Sequence, residues 1–152
     1  MSNLTLSDFN RRNISFGLFR LYKGAAQRLG GLARANDTAR TVVFILGIQR
    51  AGTSLMYWVF ERDLQARIYR ETSELTSGDV LEHVRLNPLP AVKARLARDR
   101  ASLIVLKPLV ESQRVHELTA AFPGAKVLWQ YRHYQDVASS NLKAFGGDNG
   151  LK

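Results

Sequence analysis

The 152-residue chain contains no cysteine, which excludes a disulfide framework and any metal site built on thiolates. Nor does any apolar run approach the roughly eighteen residues needed to cross a bilayer. Near the N-terminus, Arg11, Arg12, Arg20 and Lys23 interrupt every candidate for the apolar stretch of a secretory leader. The cytoplasm is therefore the default expectation. Acidic residues are scarce: 13 Asp and Glu stand against 22 Lys and Arg, a formal net charge of +9. No internal repeat is visible.

What is present is an ordinary globular composition, 45% hydrophobic and 23% charged, on a chain long enough for one domain with a sizeable core. Residues 1–40 hold seven Lys and Arg against Asp8 and Asp37, a balance of +5, and residues 41–152 hold fifteen against eleven, a balance of +4. Such an excess favours an anionic ligand, a nucleic acid or an acidic membrane. Within residues 1–40, Phe9, Ile14, Phe16, Phe19, Leu21, Tyr22, Leu29 and Leu32 recur loosely at helical spacing with cations between them. Gly30-Gly31 is expected to end or loosen that helix. A basic amphipathic helix either lies peripherally on an anionic membrane or packs against the rest of its fold. Asn36-Asp37-Thr38 reads as a linker.

The chain is organised around Thr41-Val-Val-Phe-Ile-Leu-Gly-Ile-Gln-Arg-Ala-Gly-Thr-Ser54. Thr41 to Leu46 is β-branched and apolar without a charge, as in a strand buried on both faces of a parallel sheet. Gly47 breaks the run, Gly52-Thr53-Ser54 follows, and Leu55-Met-Tyr-Trp-Val-Phe60 opens a helix. Strand, glycine-bracketed turn and helix together form a cradle for phosphate, because glycine lets backbone N–H groups approach an anion and the helix N-terminus adds partial positive charge. The spacing Gly47-x-x-x-x-Gly52 matches a Walker A loop, but Thr53 stands where that loop has lysine. The cation of this turn is Arg50. A bare pair of glycines would equally suit a tight strand-to-helix turn with no ligand.

Further along, Ala66 to Arg70 reads as a short strand followed by Glu71 and Glu74. Helices are expected over Ser77 to Leu86, stopped by Asn87-Pro88, and over Pro90 to Arg100, where Lys93, Arg95, Arg98 and Arg100 suit a solvated face better than a nucleic-acid patch. Ser102 to Leu106 is a buried strand ending at Lys107-Pro108, Glu111 to Phe122 a helix, Pro123-Gly124 a turn, and Lys126 to Tyr131 a strand ending at Arg132. A last helix runs over Tyr134 to Phe145, and Gly146 to Gly150 has a disordered composition. Strands alternating with helices imply right-handed crossovers and a parallel sheet. Ligands of such sheets bind at the carboxyl ends of the strands, where Arg50, Glu71, Lys107 and Arg132 all fall. A magnesium-dependent phosphoryl transferase needs a strand-end carboxylate for its metal, so cations at Lys107 and Arg132 suit an anion bound without metal. His83, His116 and His133 have no metal-ligand spacing and read as surface or core residues.

Two of these motifs resemble the sulfotransferases that use 3′-phosphoadenosine 5′-phosphosulfate (PAPS). Gly47-Ile-Gln-Arg-Ala-Gly-Thr-Ser54 is similar to that family's 5′-phosphosulfate loop, and Arg132-His-Tyr-Gln-Asp-Val-Ala-Ser-Ser140 to its 3′-phosphate element, a strand-end Arg followed eight residues on by a helix Ser. Leu106-Lys107-Pro108 and Phe122-Pro123-Gly124-Ala125 fit the bacterial and protein-tyrosine branches. The resemblance spans roughly Thr41 to Phe145. It implies a P-loop NTPase-like α/β domain over 41–152, a three-layer parallel sheet flanked by helices, behind an N-terminal basic amphipathic helical extension over 1–40. It implies PAPS as sulfuryl donor, no metal and no specific nucleic acid, with an acceptor that the residues do not identify. Gly47, Gln49, Arg50, Ala51, Gly52, Thr53 and Ser54 would hold the 5′ end, and Arg132 with Ser140 the 3′-phosphate. Arg50 and Lys107 would stabilise the leaving phosphate. Cytosolic members carry a His where this chain has Leu109, so the protein-tyrosine pattern is the better guide to the base. It points to Glu71, for which an exposed loop glutamate is the equal alternative, with Glu74 behind it. Family members continue past the 3′-phosphate helix, so the chain reads as truncated, and a nucleotide-binding remnant without turnover stands beside the enzyme. A P-loop kinase is disfavoured by Thr53 and the missing strand-end Asp.

Overall fold

The computed structural model describes residues 11–33, 40–78, 84–108 and 110–145. Contacts divide the chain into two units, one ending at Thr38 and one beginning at Ala39. The first contains a single described element, helix α1 over Arg11–Ala33. It runs through Gly30-Gly31, where the sequence had suggested an end; a glycine pair costs least within a turn of a helix terminus, where few backbone bonds remain to be lost.

The second unit is built on a four-stranded parallel sheet in the order β2-β5-β1-β6. The strands are β1 (Thr41–Gly47), β2 (Ala66–Tyr69), β5 (Leu103–Leu106) and β6 (Lys126–Gln130). β1 lies between β5, with Thr41 opposite Leu103, and β6, with Gly47 opposite Gln130. Its alternation feeds two cores. Val43 and Ile45 pack with Ala66 and Val105 under Met56, Tyr57 and Phe60 of helix α2 (Thr53–Glu61). Phe44 and Leu46 face the opposite way, into a cluster with Val92 and Leu96 of α3 (Leu89–Leu96) and Leu118 of α4 (Val115–Ala121). Phe44 meets Phe122 edge-on at 5.5 Å between ring centres. Four consecutive residues, Val43 to Leu46, are at most 6% exposed, and burying each such side chain contributes about 1.5–3 kcal/mol. This double burial explains why the strand reads as an unbroken apolar run.

Two expected elements differ. Thr76–Ser77 (β3) and Arg85–Leu86 (β4) form a small antiparallel pair, Thr76 opposite Leu86, so the expected helix over Ser77 to Leu86 is overturned at both ends. Residues 79–83, including His83, lie outside the described residues. The cause is burial at period two at the second strand, where Val84 and Leu86 are buried, and Leu86 donates its N–H to the Glu111 carboxylate at 3.0 Å. Glu111, wholly buried, also accepts from Arg114 at 2.8 Å. Those duties hold it out of the helix expected from Glu111, which instead begins as a 3-10 turn over Ser112–Arg114 before α4. Likewise α3 stops at Leu96, where Arg40 donates to the Ala97 carbonyl at 3.0 Å. The last helix, α5, spans Tyr134–Phe145 as the sequence indicates.

At the β2 edge, Tyr69 is 3% exposed and donates its phenol proton to Asp99 at 2.5 Å. Arg67 and Arg95 lie 5.5 and 5.7 Å from its ring centre. Burial, followed by the Asp99 hydrogen bond and charge, pushes the phenol up to about 12 from 10.0 against the opposing guanidinium groups. The unfolded chain releases this proton near pH 10 while the folded chain keeps it, so the stability it contributes is full below pH 10 and is lost as pH rises through about 12. The Tyr69→Phe variant lacks that loss. The difference in urea unfolding free energy between the two proteins is expected to shrink by about 1–3 kcal/mol between pH 8.5 and 11.5. An unchanged difference removes Tyr69 from the pH response.

Candidate functional site

The β1–α2 connection begins where Gly47 leaves the strand at φ 153°. A Cβ at this position would meet the Gln130 carbonyl oxygen at 2.5 Å, a contact that no side chain tolerates. The Ser112 hydroxyl closes the same point from the other side, accepting from the Gly47 N–H and donating to the Gly47 carbonyl, both at 3.0 Å. The start of the loop is thereby pinned to β6 and to the turn after β5. Arg50 takes a left-handed backbone at φ 67°, a strained conformation for a residue with a side chain. Ala51 is buried and donates its N–H to the Ile48 carbonyl at 3.1 Å, folding the loop back on itself. Gly52, at φ 101°, precedes α2 with no side-chain cap. The first-turn N–H groups of α2 therefore have no side-chain acceptor of the kind that usually fills an N-cap.

These features form one wall of a cavity of about 350 Å³ at the carboxyl ends of the parallel strands. Gly47, Gln49, Arg50, Gly52, Thr53 and Ser54 line it from the loop; Glu71 comes from after β2, Lys107 and Pro108 from after β5, Arg132 from after β6, and Ser140 from α5. Every site residue expected from the sequence is thus brought to one cavity except Ala51, which supports the loop from behind, and the weaker candidate Glu74. Pro108 and Ile48 join them, while Leu109 lies outside the described residues. Glu74 is elsewhere, paired with Arg95 at 2.5 Å and Arg67 at 3.8 Å. His116 and His133 are exposed, the latter against the Tyr134 ring at 4.8 Å. Among the described residues no three His, Asp or Glu side chains are placed to hold a metal ion.

The lining carries three cations, Arg50, Lys107 and Arg132, and one carboxylate, Glu71. Lys107 is almost wholly buried, its side chain 4% exposed, and it pairs with Glu71, which is 39% exposed. A buried ammonium needs such a partner, since an uncompensated one costs several kcal/mol. Arg50 donates from Nε to the Ser140 hydroxyl at 3.0 Å. Arg132 leans towards the Arg50 carbonyl at 3.5 Å and towards Asp136 at 3.8 Å, both long contacts on an exposed side chain that leave its donors available. The lining thus combines an excess of cations, an uncapped helix start and the Thr53 and Ser54 hydroxyls, groups whose chemistry suits an anion.

Ser112 is the residue that sequence reasoning missed. Its partner Gly47 is 65 positions away, and no local pattern announces a lone serine in that role. The Gly47→Ala variant is expected to lose about 2–4 kcal/mol in urea unfolding, since strand and loop must part to admit the methyl. Wild-type stability in that variant would show that the approach to Gln130 is not a constraint. Comparison with known protein families, with curated proteins and with solved structures finds no match, so the meaning of the site rests on its own residues.

Proposed function

We propose that the protein is a sulfotransferase that moves a sulfuryl group from PAPS to a hydroxyl or amine of an acceptor. The observation that carries this reading is the meeting of two separate anion-binding elements in one cavity. One is the P-loop-like turn with Arg50, Thr53 and Ser54; the other is Arg132 with Ser140 on α5. A nucleotide with anionic groups at both its 3′ and 5′ ends matches that donor set, and the strand-end residues Lys107 and Arg132 stand where a metal-dependent phosphoryl transferase would place a carboxylate. The direct Arg50–Ser140 hydrogen bond supports close neighbourhood of the two elements, and an entering phosphate would replace it with charge-assisted contacts to both.

In the transfer, the bond from sulfur to the acceptor oxygen or nitrogen forms as the bond from sulfur to the bridging phosphate oxygen breaks, and that electron pair stays on the phosphate. Arg50, the loop N–H groups and Lys107 would meet the charge gathering there. The acceptor proton would pass to Glu71, the carboxylate of the lining. For this the Glu71–Lys107 pair must open, the ammonium turning from carboxylate to phosphate as negative charge grows. The same pair favours a second reading, a nucleotide-binding protein without turnover, because in it the carboxylate is already engaged.

Calorimetric titration in EDTA tests the proposal. Adenosine 3′,5′-bisphosphate is expected to bind without metal and more tightly than ATP; equal affinity for ATP, or a requirement for magnesium, would sink the sulfotransferase reading. Arg132→Ala should weaken the bisphosphate by about 1.5–3 kcal/mol and leave adenosine 5′-monophosphate nearly unaffected. Equal weakening of both would assign Arg132 to the fold. Turnover separates the two readings. With Glu71 as base, Glu71→Gln lowers the release of the bisphosphate from PAPS by about two to four orders of magnitude at nearly constant nucleotide affinity. Unchanged turnover would remove Glu71 from the chemistry, and no turnover in the wild type would establish the binding-only reading.

A further inference from the structure

Arg70 stands directly before Glu71 and is not among the residues that line the cavity. The alternation of β2 turns it towards α2, as it does Ile68 two residues earlier, which packs with Met56, Tyr57 and Phe60. There Arg70 Nη2 donates to both oxygens of Glu61, at 2.7 and 2.9 Å, and the Glu61 side chain is only 7% exposed. The guanidinium also lies over two stacked rings, 4.9 Å from the centre of Tyr57 and 5.5 Å from that of Trp58. A charge-assisted contact to a buried carboxylate, backed by aromatic faces, holds an arginine in place better than an exposed ion pair does.

The Tyr57 ring is shared. Lys107 Nζ lies 6.0 Å from its centre, so one ring stands beside both Arg70 and the ammonium that pairs with Glu71. The two backbones are joined as well. The Lys107 N–H donates to the Tyr69 carbonyl at 2.9 Å, carrying the β2–β5 ladder past its last paired residues, Tyr69 and Leu106. Glu71 is 39% exposed at the cavity, and a carboxylate so open depends on the backbone that carries it for its aim. Tying Arg70 to α2 fixes that backbone one residue away, and the Tyr57 ring fixes the side on which Lys107 approaches.

We propose that Arg70 is a positioning residue for the Glu71–Lys107 pair and, resting on the transfer reading above, that it sets the rate of the chemical step without touching the ligand. The first test needs neither ligand nor turnover. Lysines of the full chain are acetylated with limiting acetic anhydride and read by peptide mass spectrometry, with the exposed Lys126 as internal standard. Lys107, its side chain 4% exposed, is expected to react at least about tenfold more slowly than Lys126. Arg70→Gln should cut that protection at least about threefold, equally with and without low urea, because the opening is local. Unchanged protection, or labelling that rises only with urea as global unfolding does, would assign Arg70 to the stability of α2 and overturn the proposal. A wild-type Lys107 as reactive as Lys126 would overturn it too. If Arg70→Gln does not fold, Arg70→Lys decides by the same readout: it leaves Glu61 a cation, but a compact ammonium cannot grip both carboxylate oxygens and cover the Tyr57 face together. The second test is release of adenosine 3′,5′-bisphosphate from PAPS. Its kcat should fall about ten- to a hundredfold in the variant while calorimetric affinity for the bisphosphate stays within about twofold. A wild-type kcat in the variant would overturn the proposal. A wild-type protein without turnover would sink the transfer reading alone, and the labelling then decides the positioning role by itself.

Discussion

The close approach of Gly47 to Gln130 is the constraint on which the candidate site depends. The register of β1 against β6 puts the two opposite each other, and the Gly47 backbone comes too near the Gln130 carbonyl to allow any side chain. With the Ser112 hydroxyl holding both polar atoms of Gly47, the chain can leave β1 in one direction only. Everything beyond inherits that direction: the left-handed Arg50, the buried Ala51 and the uncapped start of α2. A loop launched from a less constrained strand end would need its own contacts to keep this shape. Here the sheet supplies the rigidity, and the strain at Arg50 is stored against two apolar cores.

Parallel strands give their cavity-facing ends to one edge of the sheet, so residues far apart in sequence become neighbours without further design. This is why the expected site was largely legible. The strands β1, β5 and β6 each read as an apolar run that stops at a glycine or a cation, and the stop itself marks the edge. Gly47, Lys107 and Arg132 could be placed by that rule alone. Helix α5 was equally plain, because its start lies directly after the strand end.

What escaped has a common character: interactions between distant residues that override a local preference. Residues 77–86 carry no strong breaker apart from Gly78, yet Val84 and Leu86 are claimed by the core at alternate positions, and the N–H of Leu86 is claimed by Glu111, 25 residues on. A glutamate at the head of an amphipathic stretch ordinarily signals the first turn of a helix. Glu111 is instead a buried acceptor whose partners cannot be inferred from spacing. Tyr69 and Asp99, 30 positions apart, and the Gly47–Ser112 pair belong to the same class. The strand-end rule finds residues that point out of the sheet, but not those that lock its connections together.

The electrostatics of the cavity follow from the same geometry. Converging strand ends bring Arg50, Lys107 and Arg132 to one small space against a single lining carboxylate, and like charges so placed repel. The protein offsets this with local partners: Glu71 for the buried Lys107, the Ser140 hydroxyl for Arg50, and the Arg50 carbonyl and Asp136 for Arg132. Those contacts differ in strength. The Lys107 pair shields a buried charge, whereas the Arg132 contacts are long and exposed. An entering anion would therefore take Arg132 at small cost, then Arg50 by displacing one neutral hydroxyl, and Lys107 last, because that exchange separates an ion pair. Under the proposed transfer, that order would give the buried lysine a particular place in the chemistry. It is the cation whose engagement depends most on how much negative charge the ligand presents, and in a transfer reaction that charge is greatest as the bond to the leaving phosphate breaks.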